Sequence, residues 1–286
     1  MLTRSAARFL ASLLVIILCC GLSSCARILT GTVIKPAVGN LQQQEDIALV
    51  CEGAPAYLLM LDSMLVSSPD DENLLLIAAQ SYSAYATALE ECGGSDERIA
   101  AINDKAKNYG RNLLRPLLPI DNPAGVDFAR RLAALDASDV PSAFWGAYAW
   151  LGWVMGQKGA PAAIADLVVI EKIMARVLEL DEAYQGGAAH LFFGALYAAR
   201  PEQLGGRPDL SRRHFDKALE LSERRFLLVH TTCAATLARS TMDRELHDRL
   251  LQEVLAFPLA SAREFGLSNR IAVNRAKRLL AENYFD

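Results

Sequence analysis

The sequence predicts an all-α protein of about 11 helices that pair into hairpins and stack as a compact α-solenoid. Apolar residues recur at i, i+3, i+4 and i+7, the spacing that places them on one face of a helix. No sustained alternation of apolar and polar residues indicates a strand, and no Asn-Gly turn joins two apolar runs. Proline, glycine and acidic clusters interrupt the pattern at short intervals, which favours short turns between neighbouring helices.

Residues 1–24 are predicted to be a lipoprotein signal peptide. A segment with two arginines precedes the apolar run at residues 9–20, which is of secretory length and short for a membrane span. Leu-Ser-Ser-Cys follows at residues 22–25, a pattern similar to the site at which bacterial lipoproteins are cleaved and acylated. We therefore expect Cys25 to be lipidated, with palmitate among its acyl chains. An ordinary signal peptide and an uncleaved anchor are the alternatives.

The residue after the lipidation site indicates in which membrane the protein is anchored. Ala26 is not the aspartate that retains many such proteins in the inner membrane, so we expect a periplasm-facing protein at the outer membrane. Residues 25–42 contain glycine and proline and are predicted to be an extended, lipidated tether. The helical domain is expected over residues 43–286. Several acyl chains on one cysteine would anchor it stably.

The helices follow from their start and stop signals. An acid-rich turn after Ser-Ser-Pro opens the second helix, and Gly-Gly-Ser-Asp-Glu ends it and caps the third. Prolines and glycines over residues 199–211 indicate a long loop. Helices are expected at about residues 43–66, 71–91, 95–117, 123–135, 140–157, 161–180, 185–199, 208–222, 225–240, 243–256 and 268–283.

Internal repeats favour a stacked array over a simple bundle. Three segments share one pattern: a large residue at i, a pair ending in a small residue at i+3 and i+4, and a large residue at i+7. They are LLIAAQSY at 75–82, YAWLGWVM at 148–155 and HLFFGALY at 190–197, and their pairs are Ala-Ala, Leu-Gly and Phe-Gly. Gly152 and Gly194 are 42 residues apart, and Met174 and Phe215 in the following helices are 41 apart. Tetratricopeptide repeats have this register with a period of about 34 residues, so these are stretched repeats.

Three cysteines remain beyond the signal peptide and Cys25. Cys51 lies early in one predicted helix and Cys92 at the end of the next, so an antiparallel hairpin would bring them near each other. A disulfide between them is compatible with an oxidising compartment, although the register is about a turn from ideal, and the sequence leaves this pair open. Cys233 lies in an apolar segment and is expected to be a buried small side chain.

Catalytic and metal chemistry are not indicated. The chain has no G-x-S-x-G, H-E-x-x-H or phosphate-binding loop motif. His230 and Cys233 share a helical face and His247 lies on the next helix, but zinc takes four ligands. We therefore expect no metal, no cofactor and no enzymatic activity. The net charge of −4 and the absence of a basic run exclude nucleic acid as a partner.

The repeat register predicts an apolar groove. In a tetratricopeptide helix the residue after the Leu-Gly pair faces the concave side, and that residue is Trp153 here. Other small or apolar residues fall on the same kind of face. The predicted groove comprises Trp150, Trp153, Gly146, Ala149, Leu191, Ala195 and Ala198. It would be a channel for an apolar ligand or a surface for a partner segment, unless other helices simply cover it.

Several stretches resemble one family. ARPEQLGG at 199–206, HFDKAL at 214–219 and SNRIAVNRAKRLL at 268–280 are similar to the T component associated with tripartite ATP-independent periplasmic (TRAP) transporters. The resemblance implies a lipoprotein of tetratricopeptide-like helices that forms a homotrimer and pairs with a periplasmic solute-binding protein, the P component. It also implies an internal pore or cleft for apolar or organic-acid ligands.

A second interpretation stays open from the sequence. A tetratricopeptide-like lipoprotein can also act as a scaffold for envelope assembly or for cell-wall enzymes. That interpretation predicts a polar, charged concave face, whereas a ligand-carrying accessory protein predicts an apolar one.

Overall fold

The computed structural model describes residues 35–199 and 206–285 and contains 12 α-helices and no strand in that part of the chain. The helices are α1 (Lys35–Gln43), α2 (Ile47–Ser67), α3 (Glu72–Glu91), α4 (Asp96–Leu114), α5 (Val126–Ala134), α6 (Val140–Gly156), α7 (Pro161–Leu180), α8 (Tyr184–Ala198), α9 (Pro208–Leu221), α10 (Leu227–Cys233), α11 (Arg244–Ala256) and α12 (Gly266–Ala281). A π-helical segment, Ala234–Ala238, extends α10.

The all-α prediction is confirmed, and each of the 11 expected helices has a counterpart. Helix α7 has the predicted bounds, and most others differ from prediction by one to four residues. Helix α1 was not expected, and the extended conformation predicted over residues 25–42 is wrong from Lys35 onward. Pro36 suggested a break, but it lies in the first helical turn, where its missing N–H removes no hydrogen bond. The signal peptide and Cys25 lie outside the described residues.

Short polar side chains determine where the first long helices begin. Asp46, Asp71 and Ser95 precede α2, α3 and α4, and each accepts a hydrogen bond from the backbone N–H three residues later. Each such cap satisfies a donor that the helix itself leaves unpaired and contributes about 1 kcal/mol. The interruptions that the sequence shows as acid-rich turns are therefore true helix starts.

Helices that are consecutive in the chain pack mostly on each other. The chain divides after Asn40 into two units, and the helix packing belongs to the unit Leu41–Asp286. In it α2, α3 and α4 pack in sequence, α6 lies between α4 and α7, and α8 pairs with α9. The last helix, α12, returns to contact α2 and α3. There the Arg278 guanidinium donates two hydrogen bonds, of 2.6 and 2.7 Å, to the Glu91 carboxylate.

Two glycines lie at the contact between α4 and α6. A Cβ atom on Gly110 would lie 2.7 Å from the carbonyl oxygen of Gly146, and one on Gly146 would lie 2.5 Å from Cγ of Leu114. Real Cβ atoms do not approach that closely, so only glycine fits on either side without a shift of the helices. This contact determines which side of α6 faces α4.

A disulfide joins the first helical hairpin. Cys51 in α2 is bonded to Cys92 at the end of α3, with their Cα atoms 6.7 Å apart and a sequence separation of 41. The bridge lies beside Glu91, to which α12 attaches. The α2–α3 hairpin, which α12 contacts, is therefore also the hairpin that the disulfide cross-links.

Substitution of Gly110 by alanine should destabilise the protein by about 1–3 kcal/mol, because the new methyl group overpacks the α4–α6 contact. The matched control is Gly53→Ala in α2, where a Cβ atom would meet nothing within 4 Å. That control should stabilise the helix by up to about 1 kcal/mol. Urea unfolding of both variants checks this. Equal stability of the two variants would show that the glycine contact is not tight.

Loss of the disulfide should lower the free energy of unfolding by about 4 kcal/mol, because a loop of 41 residues is no longer closed in the unfolded chain. A Cys51→Ser/Cys92→Ser double variant and wild-type protein treated with a reductant should unfold at the same, lower denaturant concentration. Adding the reductant to the double variant is the control and should change nothing. Unfolding of wild-type protein that is insensitive to reductant would contradict the bridge.

Candidate functional site

The described residues enclose an apolar cavity of about 400 Å³. That volume is typical of small-molecule sites, which are usually lined by hydrophobic and aromatic side chains with few polar groups. Helices α3, α6, α7, α8 and α12 contribute, together with the segment around α10 and the turn before α12. Its aromatic residues are Phe144, Trp145, Tyr148, Phe192, Phe226 and Phe265.

Two helices supply most of the wall. On α6, Tyr148, Leu151 and Met155 occur at i, i+3 and i+7 and therefore share one helical face. On α8, Leu191 and Ala195 occur at i and i+4 and face the same space. Leu191 and Ala195 are thus two predicted groove residues that the structure places in the cavity. They are the small and aliphatic members of the predicted set.

The remaining predicted groove residues do not line the cavity, and the α6 members lie against α4 instead. Gly146 and Ala149 pack against Gly110 at the glycine contact. Trp150 is buried, and its ring stacks under the Arg111 guanidinium at 4.6 Å from the ring centroid. The Nζ atom of Lys107 lies 3.2 Å from the ring centroid of Trp153. The two tryptophans therefore hold α4 by cation–π contacts and packing rather than facing a ligand.

The fifth such residue, Ala198, is buried in the core that α8 shares with α9, α10 and α11. The Trp150 indole N–H is also occupied, because it donates a 2.8 Å hydrogen bond to Asp166 on α7. The cavity wall on α6 is thus the face opposite to the predicted groove residues of that helix. The cavity is lined by Tyr148, Leu151 and Met155, which occupy the i, i+3 and i+7 positions of the repeat pattern and were expected to pack against the paired helix.

On α8 the residues of the repeat pattern pack against α9. Gly194 lies against the ring of Phe215 on α9, where a Cβ atom would be 2.9 Å from the ring. Phe193 and Tyr197 belong to the same repeat pattern as Gly194. The ring of Phe193 stacks on His214 of α9, and the ring of Tyr197 is tilted against it. The repeat pattern holds on α8, where Gly194 lies against α9, the next helix in the chain. It fails on α6 because Gly152 faces Asn103 on α4 rather than α7.

Two departures from regular backbone lie at the cavity. Gln185, Gly186 and Gly187 at the start of α8 have positive φ values of 52°, 66° and 79°, and Gln185 lines the cavity. The π-helical segment after α10 places Thr236 in the wall, and its hydroxyl donates a 2.6 Å hydrogen bond to the Thr232 carbonyl. Such π-helical turns are frequent at functional sites. No sequence pattern indicated this one.

Exposed apolar side chains continue from the cavity onto the surface. Met155 lines the cavity and is 72% exposed. Ile164 and Val168, which flank the cavity residue Leu167 on α7, are 53% and 47% exposed. We call Met155, Ile164 and Val168 the apolar rim. Exposed apolar residues in a contiguous group mark interaction sites more often than isolated ones do.

The histidines have structural partners. The Nδ1 atoms of His190 and His214 are 2.9 Å apart, so one donates and the other accepts, and the pair links α8 to α9. Burial, together with the smaller effect of the His190 charge, lowers the pKa of His214 to about 4. Burial also lowers the pKa of His190, opposed by the hydrogen bond with Glu182.

The residues considered for metal binding lie apart from the cavity. His230 and His247 are buried, and His230 has Glu253 3.4 Å from its Nε2 atom. Burial raises the pKa of the Cys233 thiol to about 12, which keeps it protonated and unreactive. Among the described residues no group of three or more His, Cys, Asp or Glu side chains could hold a metal ion.

One described helix could cross a membrane by length and composition alone. It is α2, and 28% of its most apolar window is buried in the fold. Leu49, Leu59 and Val66 are exposed along it. The core helix of a soluble protein passes the same test, so this is weak support for a membrane span.

The fold and the cavity define a class of protein: helical hairpins in a repeat-like array with an apolar cavity between the helices. Residues 43–285 match the model of the family described as TRAP transporter T-component. The match covers most of the chain, so this protein belongs to the TRAP transporter T-component family. Members of this family are accessory components of transport systems at the bacterial envelope. No curated protein matches the chain.

The stability of the protein should fall as the pH is lowered from about 6.5 to about 4, the ordinary and buried pKa values of His214. In this range the unfolded chain binds a proton that the buried imidazole does not, so protonation favours unfolding. Urea unfolding at several pH values measures the slope, which should be smaller for His214→Gln than for wild type. Parallel curves for the two proteins would contradict the assignment.

Proposed function

We propose that this protein is a lipid-anchored accessory component that pairs with the periplasmic solute-binding protein of a TRAP system. Its cavity receives a small apolar or organic-acid ligand from that partner. The observation that carries the proposal is the apolar cavity of about 400 Å³ together with the exposed rim that leads into it. Membership of the family indicates that the protein acts in a transport system, and the cavity is the proposed ligand site.

The rim is the proposed docking surface for the solute-binding protein. A ligand that passes directly between two apolar sites avoids exposure to water, so the mouth of the cavity is where the partner has to dock. Met155 belongs to both the wall and the surface, and Ile164 and Val168 are exposed apolar residues next to the cavity residue Leu167 on the same helix. Burial of these side chains by a partner would contribute about 25 cal/mol for each Å² covered.

The remaining parts of the proposal concern anchoring and assembly. Residues 1–24 are removed as the signal peptide, Cys25 carries the lipid, residues 25–42 tether the domain, and residues 43–286 form it. The protein faces the periplasm from the outer membrane as a homotrimer. These statements rest on the lipoprotein pattern around Cys25 and on the resemblance to the family.

A scaffold for envelope assembly is the alternative function. It predicts a polar and charged concave face that would hold peptide segments by ion pairs. The cavity wall instead consists mainly of aromatic and aliphatic side chains. This composition favours a small apolar ligand over an extended peptide.

An Ile164→Glu/Val168→Glu double variant should lose the solute-binding protein, because two carboxylates on the rim prevent its desolvation. The measurement is pull-down from envelope extract with the mature protein, followed by identification of the captured proteins. We expect at least a roughly ten-fold loss of the partner. Leu255→Glu, an apolar residue of similar exposure (42%) on α11, is the control and should capture it normally.

Equal capture by wild type and the rim variant would contradict docking at the rim. Capture of envelope-assembly proteins as the main partners of wild type would overturn the transport function in favour of the scaffold. Circular dichroism of both variants should match wild type, since the substituted side chains point to solvent.

A further inference from the structure

Helix α2 is apolar nearly all round, although much of it lies at the surface. A helix of this kind belongs either in a protein core or in contact with a membrane. Only 28% of the most apolar window of α2 is buried in the fold, so α2 is not a core helix. One side, which includes Val50, Leu58 and Leu65, packs into the fold. The other side exposes apolar surface along the length of the helix.

The exposed side of α2 is a continuous strip. Its residues recur at spacings of three and four, which places them on one helical face. The strip is about 26 Å long, since each helical residue adds about 1.5 Å. Of the two charged residues of α2, Glu52 is exposed beside the strip and Asp62 is not. We call this strip the outer face of α2, and it comprises Leu49, Gly53, Ala56, Leu59, Met60, Ser63 and Val66.

The polar side chains in the second half of α2 are already hydrogen-bonded. The Asp62 carboxylate accepts hydrogen bonds of 2.7 and 2.6 Å from the hydroxyls of Tyr82 on α3 and Tyr109 on α4. The Ser63 hydroxyl donates a 2.9 Å hydrogen bond to the Leu59 carbonyl within the helix, so covering it with hydrocarbon leaves no donor unpaired. Because one side of α2 is held by the fold in this way, the helix can lie along a bilayer but not cross it.

The place of α2 in the array makes its apolar outer face unusual. Within the unit Leu41–Asp286, α2 is the first helix, and it packs on α3 and contacts α12 with its inner side. The terminal helices of repeat arrays ordinarily carry a polar outer face, which keeps the array soluble. An apolar face at this position therefore indicates a partner that covers it.

The chain before α2 favours the lipid bilayer as that partner. Residues 26–34 join the proposed lipid on Cys25 to Lys35, where α1 begins, and a chain of this length spans at most about 35 Å. Helix α2 follows α1 after residues 44–46 and is the first long helix beyond the anchor. A short tether holds the domain at a high local concentration beside the membrane, so even a weak contact of the outer face would be populated.

We infer that the outer face of α2 lies on the lipid bilayer, as a second membrane contact in addition to the acyl chains of Cys25. The inference rests on the lipid anchor of the proposed function and adds an orientation to it. Helix α2 lies parallel to the bilayer, and Leu59 and Val66 enter the boundary between headgroups and acyl chains, as the apolar side chains of interfacial helices do. The disulfide-linked α2–α3 hairpin is then the membrane-facing side of the domain.

Vesicle flotation measures this contact in the absence of the anchor. The mature chain with Cys25→Ser, which cannot be acylated, is mixed with vesicles of phosphatidylethanolamine and a minor share of phosphatidylglycerol. It should float with the vesicles, and adding Leu59→Glu/Val66→Glu should lower its partition coefficient at least about ten-fold, because two carboxylates would enter apolar lipid. Val126→Glu/Met242→Glu is the matched control, since Val126 and Met242 are 88% and 66% exposed, compared with 84% for Val66 and 64% for Leu59.

The control variant should float like the parent chain. Absence of flotation for the Cys25→Ser chain, or an equal loss in both double variants, would overturn the bilayer contact and leave docking of the solute-binding protein at the rim intact. The lipid anchor is tested separately, by the mass of the native protein purified from membranes. A mass without lipid would overturn the anchor of the proposed function, whatever the flotation result.

Oxidation of methionine by hydrogen peroxide locates the contact without any change to α2. In the Cys25→Ser chain, vesicles should slow the oxidation of Met60 several-fold, because the bilayer covers its sulfur, while Met155 and Met242 react at an unchanged rate. Flotation without protection of Met60 would overturn the inference. Protection of Met60 that needs no vesicles and rises with protein concentration would identify a second copy of the chain as the occupant and also overturn it.

Discussion

The close approach of Gly110 and Gly146 is the constraint on which the cavity depends. Because neither helix has a Cβ atom at the crossing, α4 covers the face of α6 that carries Gly146, Ala149 and Trp150. Lys107 and Arg111 of α4 then cover the two tryptophan rings of that face. The opposite face of α6, with Tyr148 and its neighbours one and two turns on, is left to face α8. The cavity is the space between these two helices that larger side chains do not fill.

The irregular backbone completes the cavity. The left-handed residues in the first turn of α8 include Gln185, which lines the cavity together with Leu191 and Ala195 of the same helix. The π-helical segment after α10 brings Thr236 into the wall and satisfies its hydroxyl within the same helix. The wall thus remains almost entirely apolar and uncharged on its inner surface. In a transport system, such a site would hold a ligand by burial of apolar area rather than by ion pairs.

The sequence was sufficient for the helices after α1 but not for the side of α6 that lines the cavity. Caps, prolines and glycines are local signals, which is why the bounds of α3 and α7 could be predicted closely. The cavity-lining side of α6 could not be predicted, since Val140–Gly156 contains no charged residue and is apolar nearly all round. Its orientation depends on Gly110, in a helix that precedes it by two elements, and periodicity carries no information on such a pairing. On α8, by contrast, Gly194 meets the next helix, and two of the three predicted residues, Leu191 and Ala195, line the cavity, whereas Ala198 does not.

Photolabelling measures most directly which face of α6 meets the ligand. Dodecanol with a diazirine on its hydrocarbon chain would be bound by the mature protein and activated by light. The modified residues would then be assigned by mass-spectrometric fragmentation. This account predicts adducts on Tyr148, Leu151 and Met155 of α6. Adducts on Ala149, Trp150 or Trp153 instead would show that the tetratricopeptide register, and not the glycine crossing, determines the site.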